Sequence, residues 1–121
     1  MLFDTTQLAL ERAISGASTR QEALAANIAN ADTPGYQRVD VDFHGALAAA
    51  MGASDQSSAL AQTSFAPQAD RSAGAVKADG STVDVDAESA KLAANALDQE
   101  TAVQVLHARL AILRSAIGVA S

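Results

Sequence analysis

Phe3, Gln7, Leu10, Ile14, Ala17, Gln21, Leu24 and Ile28 recur at alternating spacings of four and three, which places them on one face of a helix as a heptad seam. Asp4 or Thr5 is suited to cap its start. Pro34 biases Thr33 away from the helical region, so the Asn30–Gly35 stretch stops the helix. Leu92, Ala96, Gln99, Val103, Leu106, Leu110, Leu113 and Ile117 repeat the alternation over 86–117. Asp84, Asp86 and Glu88 stand at the start of this second helix, with Arg109 and Arg114 near its end, which complements a helix macrodipole. At about 1.5 Å per residue the helix reaches roughly 50 Å, long for a chain of this size.

Between the seams, residues 45–82 are mostly Ala, Gly, Ser, Gln and Asp, with Leu47, Met51, Leu60, Phe65 and Val76 as isolated large apolar side chains. That composition predicts a flexible or disordered linker. Val39, Val41 and Phe43 alternate with polar residues, as do Val83 and Val85, giving two strand-like pieces that could pair as a short β-hairpin. The predicted fold class is mainly α: N- and C-terminal helices paired as an antiparallel coiled-coil hairpin around a flexible middle loop. The expected segments are an N-terminal helix and turn over 1–33, an extended turn or strand over 34–44, the linker over 45–82, and a C-terminal helix over 83–121.

Composition makes that hairpin look incomplete. Of 121 residues 49% are hydrophobic, but 30 of these are alanine and only 26 are Leu, Ile, Val or Phe. That share lies just above the roughly 20% below which chains tend to stay disordered. The two stripes are therefore expected to bury their remaining surface against neighbouring molecules, and the chain ends to order fully only there. A net charge of −6, with no cluster of Lys or Arg, excludes phosphate-backbone recognition and so a nucleic-acid partner. The longest apolar run, 46–51, is far too short for direct membrane insertion. The opening Met-Leu-Phe-Asp has neither the basic nor the apolar region of a cleaved signal peptide, so a chain that leaves the cytoplasm is expected to use another route.

Residues 27–36 read Asn-Ile-Ala-Asn-Ala-Asp-Thr-Pro-Gly-Tyr. Small residues at 25, 26, 29 and 31 allow close helix approach, and Asn27 and Asn30 are placed to bond a neighbour's backbone. Asp32, Thr33, Pro34 and Gly35 form a turn with Gly35 free to take positive φ, and Tyr36 buries its ring beside a partner for its hydroxyl. The string resembles the signature of the bacterial flagellar rod, hook and hook-filament junction proteins. Arg38–Phe43 and the stretch from Asp79 to Leu97 are most similar to the family's proximal rod branch.

The resemblance implies a structural subunit that self-associates in a helical, tube-like axial assembly and transmits torque. It implies export by the flagellar type III system without a cleaved signal, and a final place in the periplasmic rod of the basal body. The implied partners are other rod subunits, the ring-to-rod adapter, the inner-membrane ring and the export gate. Asn27, Ile28, Asn30, Asp32, Thr33, Pro34, Gly35 and Tyr36 are the expected subunit-packing motif. Leu10, Ile14, Leu24, Leu92, Val103, Leu106, Leu110, Leu113 and Ile117 are the expected coiled-coil seam.

No catalytic chemistry is expected. There is no cysteine, and His44 and His107 stand alone. The acidic residues at 79–88 miss the spacing of a calcium loop, because Gly80 directly follows Asp79. No phosphate loop, nucleophile elbow or zincin string occurs. The expectation is a non-enzyme without metal or cofactor. The alternative is a soluble coiled-coil binding module, such as a flagellar export chaperone or adapter, which accounts for the helices but not for the 27–36 string.

Overall fold

In the computed structural model, residues 4–70 and 76–119 are described. The predicted seam position Phe3 lies outside them. Helix α1 spans Thr5–Ala29, capped by the Asp4 carboxylate, which accepts from the Gln7 amide at 3.0 Å. Helix α4 spans Val85–Val119, and the Asp84 carboxylate accepts from the Asp86 and Ala87 amides at its start. Long-range hydrogen bonds fix their relative direction. Asp4 meets Arg109, Asn95 meets Ala17 and Gln21, and Asn27 meets Glu88. Position rises along one helix as it falls along the other, so the pair is antiparallel.

The middle differs from the expected linker. Asp42 caps a helix α2 over Phe43–Met51, and Asp55 caps a helix α3 over Gln56–Gln62. Alanine is the best helix former, so the Ala48–Ala50 run, which read as low complexity, propagates a helix once it is capped and docked. Phe43 and Leu60 are buried against α1, and the Phe43 and Phe65 rings meet edge to face with centroids 6.5 Å apart. Gly16 permits this docking: a Cβ there would stand 2.6 Å from Phe43 Cβ.

The strand pairing also differs. Strand β1 is only Val39–Asp40, and its antiparallel partner β2 is Gln68–Ala69 rather than the segment at 83–85, with Val39 opposite Ala69. Phe43 belongs to a helix start, not to a strand. Thr82 flanks the 36–38 segment without forming a strand: its amide donates to the Tyr36 carbonyl at 3.0 Å and its hydroxyl accepts from the Arg38 amide at 2.8 Å.

The core sits where α1, the hairpin and α2 meet, with Ala17, Ala23, Val41 and Phe43 buried and Val39, Leu47 and Phe65 packed on them. Among the described residues, no helix is long and apolar enough to cross a membrane.

Candidate functional site

The predicted packing motif divides into an inward and an outward half. Asn27 is fully buried, and both its amide nitrogen and its oxygen are bonded within the chain. The nitrogen donates to the Val39 carbonyl at 2.7 Å and to Glu88 Oε2 at 2.9 Å, while Oδ1 accepts from the Val39 amide and the Tyr36 hydroxyl. It thus treats Val39 as a strand neighbour would, tying α1, β1 and α4 together. Asn30 caps the end of α1 and donates to the Ala26 carbonyl at 2.9 Å. These two asparagines, expected to reach a neighbour's backbone, are bonded inside the chain. Ile28 and Tyr36 are half-buried.

Asp32, Thr33, Pro34 and Gly35 are exposed. Gly35 takes φ +74°, which L side chains rarely adopt, and its amide donates to the Asp79 carbonyl at 2.8 Å. Gly80 answers with φ +85°, and a Cβ there would stand 3.4 Å from Gly35 Cα. Two turns distant in sequence are thereby held as one surface.

Beneath it lies a constellation that sequence reasoning missed. Arg38 is 3% exposed, and its guanidinium donates to Glu88, Asp40 and Asp70. Arg20 grips Asp40 with two bonds, at 2.8 and 3.1 Å. Burial works to raise the Asp40 carboxyl, but Arg20, the Val41 amide and Arg38 together hold it below the ordinary value. Glu88 reads in sequence as a helix-start charge; in the fold it is buried between Arg38 and Asn27. The available signal was its phase, since Glu88, Leu92, Asn95 and Gln99 continue the four-three alternation.

On the predicted seam, Leu24 is buried and Leu10 and Ile14 are half-buried. Leu92, Val103, Leu106 and Leu113 are half-buried on α4. At the Ala96 step the inward residue is instead Asn95, whose amide nitrogen donates to the Ala17 carbonyl and Gln21, both at 2.8 Å. Leu110 and Ile117 follow the stripe but are 43% and 60% exposed; they lie past the Asp4–Arg109 pair near the described start of α1.

Among the described residues, no group of three or more His, Cys, Asp or Glu side chains is placed to hold a metal ion. An open cleft beside the hairpin is lined by Arg20, Asp40, Phe65 and Asp70 among others, and its arginine and carboxylates belong to the ion-pair chain just described.

The chain matches the family model described as flagella basal body rod protein over residues 8–37. It is 36% identical to the flagellar basal body rod protein FlgB of Aeromonas hydrophila, over 87% of this chain and 86% of that one. To FlgB of Escherichia coli K12 it is 34% identical, over 83% of each chain. The FlgB of Salmonella typhimurium is 36% identical, again over 83% of each. With this likeness running through both long helices, the chain belongs to the flagellar basal body rod protein family.

Proposed function

We propose that this chain is a structural subunit of the proximal rod, assembling with itself and with other rod subunits through its terminal helices into the axial shaft that transmits torque. The observation that carries the reading is the pairing of α1 with α4 in a family member whose α4 keeps Leu97, Val105, Leu110, Ile112 and Ile117 exposed. Large apolar side chains along one helix, in a chain with so thin a core, are what a subunit presents to neighbours. The exposed turn 32–35 supplies a second surface for them. Heterologous interfaces that do not close into a ring generate such a helical tube.

On this reading the neighbours are other rod subunits, the ring-to-rod adapter, the inner-membrane ring and the export gate. The chain reaches the periplasmic rod through the flagellar type III apparatus without a cleaved signal. It works by packing, and no catalytic step is asked of it.

Electron microscopy of basal bodies from a strain lacking this chain is the test, with restoration by the wild-type sequence as control. Inner-membrane rings without a rod are expected, with the chain detected in restored particles. Complete rods in the deletion strain would overturn the reading in favour of a soluble binding module.

A further inference from the structure

The two ends of the helix pair differ in chemistry. At the turn end, Asp32 precedes Pro34 and Gly35, the Asp79 carbonyl accepts from the Gly35 amide, and Asp84 and Asp86 stand at the start of α4, all four exposed, with Lys77 an exposed cation in the same turn as Asp79. At the opposite end α4 runs on past Arg109, and from 110 to 119 its one charged side chain is Arg114. Leu110 and Ile117 there continue the stripe of Leu106 and Leu113, at spacings of four, three and four. At about 1.5 Å per residue this overhang is roughly 15 Å long. It is an apolar lane carrying one exposed cation, Arg114, where the other end of the molecule is acidic.

We propose that the overhang seats the turn end of a neighbouring rod subunit built like this one, acidic and with an exposed prolyl-glycyl turn. Stacked end to end, the neighbour's first helix and turn occupy the lane beyond the described start of α1, against Leu110 and Ile117, and its carboxylates face Arg114. Charge complementarity between the two ends and continuity with the α1–α4 interface both point to this occupant. The proposal rests on the rod reading above and specifies one interface within it.

Replacing Ile117 by the photo-crosslinker p-benzoylphenylalanine in the complemented strain tests the interface in assembled basal bodies, with Leu97, on the opposite face of α4, replaced likewise as control. Irradiation from position 117 is expected to join the chain to the turn segment of a neighbouring axial subunit, mapped by peptide mass, while position 97 does not. Arg114→Glu is expected to lower incorporation roughly two- to fivefold, and Arg114→Lys to leave it intact. Circular dichroism of the variants confirms that the fold is retained. Adducts from position 117 on a lateral helix face, or none from a particle that contains the chain, would overturn this interface and leave the rod reading standing. Unchanged incorporation of Arg114→Glu would likewise overturn it. Absence of the wild-type chain from basal bodies would remove both.

Discussion

Arg38 and Glu88 form a buried ion pair that links the segment after α1 to the start of α4. Arg38 has Glu88, Asp40 and Asp70 around it, whereas Glu88 has Arg38 and the Asn27 amide. Removing the arginine therefore leaves a buried carboxylate with one neutral donor. Arg38→Met is expected to cost about 3–5 kcal/mol in urea melts, the usual penalty for stranding one partner of a buried ion pair. Glu88→Gln, which leaves Arg38 two carboxylates, is expected to cost less, about 1–3 kcal/mol. Adding Glu88→Leu to Arg38→Met recovers part of the loss, because the stranded charge is gone. The same melts carry a pH signature. The folded carboxyl of Asp40 lies below its unfolded value, so its contribution is fully present above the unfolded carboxylate value near 3.9 and is lost as pH falls through the lowered folded value. Asp40→Asn is expected to flatten stability across that acid window; an unchanged slope would place the dependence on other carboxylates. Beyond the phase of Glu88 on α4, little of this was legible in the sequence, where Arg38 and Glu88 lie 50 residues apart and each has an ordinary solvent-facing explanation.

At the scale of elements, legibility followed length and period. The long helices α1 and α4 announced themselves through sustained four-three spacing, and so did their pairing. The short elements did not: β1 and β2 hold two residues each, too few for an alternation to register. Helix α2 was hidden by alanine, which scores as bland composition while favouring helix by up to about 0.7 kcal/mol per residue over ordinary alternatives, and α3 by its seven-residue length and its Gln and Ser. What fixes their docking is a gap in α1 rather than a pattern in α2. Gly16 is buried beneath Phe43, and a methyl group there would sit at 2.6 Å. Gly16→Ala gains up to about 1 kcal/mol of helix propensity but forces α2 outward, with overpacking costs of about 1–3 kcal/mol. The net expectation is destabilisation in urea melts, accompanied by weaker cross-peaks between the Phe43 and Phe65 rings in aromatic NMR spectra. A more stable Gly16→Ala variant would show that α2 yields freely and that its packing on α1 is soft.

In the whole molecule, buried contacts between the long helices are graded from one end to the other. The ties that join α1 to α4 by buried groups cluster toward the turn end, at Asn27, Arg38, Glu88 and Asn95, whereas the far end is joined by the partly exposed Asp4–Arg109 pair. Among the described residues the largest fully buried apolar side chains, Leu24, Leu60 and Val83, are few, and none belongs to α4. Sequence composition leads to the expectation that the ends order fully only with partners, and the gradient gives it a physical form. A local opening of 110–119 disrupts little buried packing, so its free energy lies near the low end of the range, while opening at 88–95 must break the ion-pair network. Amide hydrogen exchange on the isolated chain is therefore expected to be fast at 110–119 and slow at 88–106, and assembly should slow the first segment selectively. Leu110→Asp separates folding from assembly at that same end. With the leucine 43% exposed in the single chain, the aspartate is solvated there and helix content should hold. Once a neighbour covers the position the charge is taken out of water, and pairing with Arg114 one turn on would cost the neighbour's carboxylates their cation, so incorporation into basal bodies should fall. Loss of helix content in the isolated variant would instead mean that α4 depends on Leu110 before any partner arrives, and the graded picture would give way to a chain whose two ends are equally committed.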